Sequence, residues 1–134
     1  MWISEEKPLK ESRDLICTVC PLGCQIAVRQ DVLAVRFDGH SCARGEGYAR
    51  RELTDPRRVV TTTVRIQNGI IRRLPVRTSA PFPLRLIPEL MQTVKSLEVV
   101  APIQRGAVIV RNLLAQDIDL LATRTVPEIL SDTL

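Results

Sequence analysis

Apolar and polar positions alternate along this chain in two different periods. Ile26-Ala27-Val28-Arg29 and Val32-Leu33-Ala34-Val35-Arg36-Phe37 are short β-branched runs on either side of Gln30-Asp31 and predict a β-hairpin. Val59–Ile66 and Ile70–Thr78 bracket Asn68-Gly69, the strongest short-range hairpin signal in the sequence. Leu86, Ile87, Leu90, Met91, Val94 and Leu97 recur instead at helical spacing and predict an amphipathic helix over 84–97, with Pro88 in its first turn or at a kink. Val99-Val100, Ala107–Val110 and Ile118–Ala122 read as short strands, with Gly106 at a turn. Glu46–Leu53 reads as a short helix that must stop before Asp55-Pro56, because the residue before a proline is pushed out of the helical region.

Strand pairs followed by a helix and further short strands give an α+β class. The expected organisation is a loose polar arm over 1–13, a cysteine-bearing lobe over 14–56, a small mixed lobe over 57–126 and a frayed tail over 127–134. Composition changes this picture little. With 134 residues, 45% of them hydrophobic and 25% charged, the chain is an ordinary globular one rather than a disordered one. No apolar run approaches the ~18–20 residues of a membrane-spanning helix. The N-terminus, Met1-Trp2-Ile3-Ser4-Glu5-Glu6-Lys7-Pro8, carries acids and no apolar core, so it is not read as a secretory signal. The expected address is the cytoplasm, where thiols stay reduced.

Charge narrows the partners only partly. Nineteen Lys+Arg against fifteen Asp+Glu leave +4, which suits an anionic cofactor, an acidic protein or nucleic acid. Aromatic residues make up 3% of the chain (Trp2, Phe37, Tyr48 and Phe82), and a binder of single strands needs aromatic platforms on which bases stack. Together with the lack of a helix-turn-helix or RRM pattern, this argues against nucleic acid.

The cysteines carry the chemistry. Cys17, Cys20, Cys24 and Cys42 lie in one 26-residue stretch with the formula C-x2-C-x3-C-x17-C, and the chain has no others. A C-x2-C turn brings two sulfurs to one side, and a third follows Pro21-Leu22-Gly23, where proline fixes φ and glycine opens conformations closed to other residues. Incidental thiols, two disulfides in a reducing compartment, or a thioredoxin-like pair explain this spacing less well than a metal centre. Structural zinc usually takes two knuckles of two ligands each. Here three close cysteines and a remote fourth follow the uneven grouping of iron–sulfur motifs. The spacing therefore favours a 4Fe-4S cluster, with zinc as the alternative.

The segment from Cys17 to Cys24, a short strand pair, and then Cys42-Ala43-Arg44-Gly45 resembles the N-terminal iron–sulfur segment of molybdopterin oxidoreductases such as formate dehydrogenase. Arg44 falls where that family carries a basic residue between cluster and pterin. The gap before Cys42 is shorter here, and the large molybdenum-binding domains are missing, so the chain is not expected to be a molybdoenzyme by itself. Over nearly its whole length the chain is similar to a small four-cysteine family of uncharacterised function. That resemblance rests on Ile16 to Cys24, Cys42-Ala43-Arg44-Gly45, Tyr48-Ala49, Glu52-Leu53, Pro56-Arg57-Arg58-Val59, Thr61-Thr62-Thr63-Val64 and Pro75-Val76-Arg77-Thr78. It continues through Ala101-Pro102-Ile103, Gly106 and Ala122-Thr123-Arg124. The resemblance implies association with FAD-dependent dehydrogenases of the glycerol-3-phosphate type or with NAD(FAD)-dependent oxidoreductases.

Other residues fall mostly to plainer readings. His40, the only histidine, lies two residues before Cys42 but is read as a loop residue, since four thiolates already complete a ligand set. Arg44, Arg50, Arg51, Arg57 and Arg58 read as solvated charge, except that Arg44 is placed to stabilise an anionic cluster from its second shell. Thr61-Thr62-Thr63 reads as strand filler. No Ser-His-Asp set, P-loop or GxGxxG is present. The expected role is an electron-transfer accessory subunit of a flavin-dependent dehydrogenase, contacting its partner through Val19, Leu22, Tyr48 and Arg44. The alternative is a zinc-stabilised, non-catalytic module that binds protein or nucleic acid.

Overall fold

The computed structural model describes residues 12–30, 34–39 and 42–130. Most of the expected N-terminal arm, Asp31 of the first expected turn, His40 and the end of the tail lie outside the described residues. The class is α+β, with sheets of short, mainly antiparallel strands and two α-helices among the described residues. The chain divides into two compact units, Met1–Asp55 and Pro56–Leu134.

In the first unit, strands β1 (Ser12–Ile16), β2 (Gln25–Gln30) and β3 (Val35–Asp38) form an antiparallel sheet in that order. The expected hairpin is β2–β3, paired from Ala27 with Asp38 to Gln30 with Val35. Strand β1 was not expected. The sequence Ser-Arg-Asp-Leu-Ile lacks a strong alternation, and charges at Arg13 and Asp14 suit an exposed sheet edge. It begins inside the segment read as a loose arm, with Ser12 opposite Arg29. Helix α1 (Ala43–Thr54) follows and starts three residues earlier than expected. Gly45 and Gly47 lower the helical signal of that first turn, but Cys42 enters it in extended geometry as N-cap, and the Gly45 N–H donates to the Cys42 carbonyl at 3.1 Å. The helix ends where Asp55-Pro56 forbids continuation, with the Asp55 N–H donating to the Arg51 carbonyl at 2.9 Å. Ile26 and Val28 of β2, Ala49 of α1 and Cys17 form the buried core of this unit, flanked by Leu15, Cys24, Phe37, Tyr48 and Leu53.

The second unit opens with β4 (Arg57–Arg58), β5 (Thr61–Gln67) and β6 (Arg73–Thr78). Then come β7 (Phe82–Pro83), a 3-10 turn (Leu84–Leu86), α2 (Ile87–Ser96), β8 (Glu98–Val100), β9 (Val108–Val110) and β10 (Leu120–Ala122). The main sheet has the order β8-β5-β6-β10-β9, and β8 pairs with β5 in parallel. Strands β5 and β6 alternate cleanly: Val64, Ile66, Leu74 and Val76 point inward while Arg65, Gln67, Arg73 and Arg77 stay exposed. Leu90 and Val94 of α2, four residues apart, join that inward face in a core with Phe82, Leu113, Ile118, Leu120, Ala122 and Val126. Pro88 stands in the first turn of α2, one of the two places expected for it, where its missing N–H costs nothing, and a 3-10 turn precedes the helix. Thr78, fully buried, accepts the Val60 N–H at 3.0 Å and so leaves no unpaired hydroxyl.

The hairpin expected around Asn68-Gly69 forms as β5–β6, with a loop longer than two residues. The last paired residues are Arg65 and Arg73, the Ile66 N–H reaches the Arg72 carbonyl at 3.3 Å, and Asn68 itself adopts a left-handed φ of 56°. A wider loop forms because Ile66 and Ile71 pack on the core and hold its ends inward. The segment after Pro127 is not frayed as far as it is described. Gly69 bridges Glu128, and the Ile129 N–H donates to the Asn68 carbonyl at 2.7 Å, so this segment closes over the hairpin loop. A Cβ on Gly69 would stand 2.9 Å from a Val126 methyl, which explains glycine there.

Candidate metal centre

The four cysteines occupy two structural contexts in the first unit. Cys17 directly follows β1 and Cys24 directly precedes β2, so the loop between them extends the β1–β2 ladder past its last pair, Ile16 with Gln25. The Cys17 N–H donates to the Cys24 carbonyl at 2.8 Å and closes that loop at its base. Cys20 sits within it, and Gly23, at φ 61°, turns the chain back toward Cys24. Because β3 runs antiparallel to β2, its C-terminal end leaves the sheet on the side where β1 ends and β2 begins. The chain from there leads to Cys42 at the N-cap of α1. Topology therefore puts the loop of Cys17, Cys20 and Cys24 at the end of the sheet where β3 finishes.

Gly39, which the sequence reading passed over, secures this return. It has φ 94°, and a Cβ on it would run into the backbone carbonyl of Gln25, the residue after Cys24. Only glycine lets the chain at this position lie so close to the base of the cysteine loop. An isolated glycine at the end of a predicted strand, three residues before a cysteine, was the available signal.

The thiols differ in burial. Cys17 is 5% exposed and belongs to the small core, Cys24 packs at its margin, Cys20 is half-buried and Cys42 is exposed. None is in a disulfide. Among the described residues, no three of His, Cys, Asp and Glu stand together closely enough to hold a metal ion. The fold thus brings Cys17 and Cys24 together through their backbones, holds Cys20 in the loop between them and sets Cys42 at the N-cap of α1, without gathering the four sulfurs.

Electrostatics single out Cys42. Its sulfur makes no formal helix cap, yet the backbone N–H of Gly45, then that of Arg44, and then the Arg44 guanidinium hold the thiol below its ordinary range. Amides at a helix N-terminus favour a thiolate in this way. Arg44 is thus beside the Cys42 sulfur. Arg50 stays exposed, as expected, and makes two contacts at the surface. It meets Glu46 at 2.8 Å and lies over the Phe37 ring at 4.8 Å, tying α1 to β3. Among the expected contact residues, Val19 and Leu22 are exposed, with Ile16 beside them in sequence order, whereas Tyr48 is partly buried against the core.

The model of a family described as a protein of unknown function, DUF1667, matches residues 43–124. The chain belongs to this family. The DUF1667 match opens on the first residue of α1 and runs through β10, so it takes in Arg44 and most of the second unit, while the four cysteines lie before it. No curated protein matches the chain. Among solved structures it is similar to the Clostridium perfringens protein CPE0013, determined by NMR as a structural-genomics target. The identity is 22% and the TM-score 0.51, over 58% of this chain and 89% of that one, a likeness of fold alone. Among the described residues no helix is long and apolar enough to cross a membrane.

Proposed function

We propose that Cys17, Cys20, Cys24 and Cys42 hold one metal centre, a 4Fe-4S cluster, and that the chain is an electron-transfer accessory subunit of a flavin-dependent dehydrogenase. The observation that supports this reading most is the placement of three disulfide-free thiols on one loop, at the end of the sheet where β3 also finishes. The donor set fits such a cluster, which takes four thiolates. Cys42 is already biased toward its thiolate by the amides of Gly45 and Arg44 and by the Arg44 side chain. Arg44 would then offset the negative charge of the bound centre. When bound, the cluster supplies one-electron chemistry, which complements a flavin that takes two electrons as hydride and releases them singly.

Zinc is the second reading, and one observation favours it: the described part of the first unit has a core of only four buried residues, and a structural metal would add to its stability. Anaerobic purification from the native host separates the two. A brown protein with broad visible absorption, iron and acid-labile sulfide supports the cluster, and a colourless protein with stoichiometric zinc overturns it. The relay is tested separately by mixing the cluster-loaded chain with a co-purifying flavoprotein reduced by its substrate. Bleaching of the visible band is the expected result. A loaded chain that neither accompanies a flavoprotein nor bleaches would leave the cluster standing and the relay refuted.

A further inference from the structure

The net positive charge of this protein belongs to its second unit. Residues 56–134 carry eleven Lys+Arg against six Asp+Glu, or +5, while residues 1–55 carry eight against nine, or −1. Part of that excess is gathered on the outer face of the five-stranded sheet. Arg65 and Arg73 stand opposite each other across β5 and β6, and Arg77 stands opposite Thr61 four residues along the ladder. All three are exposed. Arg73 is braced, its Nε donating to Thr63 Oγ1 at 2.7 Å and its Nη2 to the Thr63 carbonyl at 3.0 Å. Two guanidinium groups facing each other across a ladder repel, which costs stability unless an anion settles between them. The acid on this strand face is Glu98, at the β8 edge beside Arg65. Around the arginines lie exposed Val100 and Val108, so the face is basic and partly apolar.

We propose that this outer face docks a protein that presents clustered carboxylates. Guanidinium forks match carboxylates in two-point geometry, and arginine among apolar residues, without lysine, is the make-up of a protein-binding patch. Nucleic acid fits worse: Phe82, the aromatic residue of the second unit, is fully buried in its core and offers no platform for a base. The inference does not depend on what the cysteines bind.

The test uses the full chain and two labelled probes, poly-L-glutamate and poly(U) RNA, titrated by fluorescence anisotropy at fixed ionic strength. Wild type should bind polyglutamate more tightly than poly(U). The Arg65→Thr/Arg77→Thr pair, which keeps strand preference, should weaken polyglutamate binding about tenfold. Arg85→Gln/Lys95→Gln removes the same charge from the helical layer over the opposite face and should change it less than about twofold. Thermal unfolding checks that both pairs remain folded, and Arg65→Gln/Arg77→Gln gives the same readout if the threonine pair does not. Equal losses for both pairs, no binding of polyglutamate, or tighter binding of poly(U) would each overturn the proposal.

Discussion

From Val64 to Val126 the second unit buries thirteen apolar residues in one cluster, whereas the described part of the first buries four, and one of those four is a thiol. The second unit also closes its own hairpin loop with the segment around Glu128 and Ile129, and satisfies its fully buried Thr78 with the backbone of Val60. It is held by ordinary burial and pairing. The first unit has a three-stranded sheet, one helix and an arginine laid across an aromatic ring, and its loop and helix N-cap are given over to cysteines. Small lobes with cores of this size usually draw on a metal, a disulfide or a partner. The comparison therefore assigns different sources of stability to the two units.

Metal removal should break the comparison most widely. Structural metals contribute on the order of 10 kcal/mol to small metal-bound lobes. Chelation of the natively loaded protein should strip hydrogen-exchange protection from the amides of β1, β2 and β3 while those of β5, β6 and β10 keep theirs. Uniform loss across both units, or none in either, would show that the first unit does not rely on its thiols.

A smaller effect should come from Gly39. Alanine there faces a left-handed φ and the carbonyl of Gln25, so the return toward Cys42 must shift. The expected loss is about 1–3 kcal/mol in the first unit alone. Differential hydrogen exchange reads it, with protection in the second unit as the internal control. Gly106 has φ 87° but open space around its Cβ position, so Gly106→Ala should cost less, through backbone strain without a clash.

What the sequence disclosed follows the same division. In the second unit, period-2 and period-3.6 patterns are written in Val64, Ile66, Leu74, Val76, Leu90 and Val94, and burial enforces each of them. There the strands, the β5–β6 hairpin and α2 were legible, and the error lay along the terminal segment, where pairing with the hairpin loop replaces the expected fraying. In the first unit β1 was missed because an edge strand with Arg13 and Asp14 needs only Leu15 to face the core. The start of α1 was missed because cap geometry at Cys42 outweighs two glycines. Cysteine spacing revealed the four candidate ligands, but it held no information on Gly39, whose role exists only once β3 returns past Gln25.

The finest contrast concerns Cys42 and can be read on the metal-free chain. The fold favours its thiolate, through the Gly45 N–H foremost, then the Arg44 N–H and the Arg44 guanidinium. A thiol whose pKa is lower folded than unfolded adds stability that is present above the unfolded pKa and is lost as pH falls through the folded value. Reactivity moves the same way, since the thiolate is the nucleophile. Alkylation of Cys42 by iodoacetamide, followed on its own peptide by mass spectrometry, should therefore rise at lower pH in the native chain than in urea. Arg44→Ser removes the guanidinium but leaves both backbone donors, so its profile should fall between those two. Coincidence with wild type would leave the shift to the helix N-terminus alone. Coincidence with the unfolded profile would mean that the guanidinium does all of it, and that the backbone of α1 contributes nothing to this thiol.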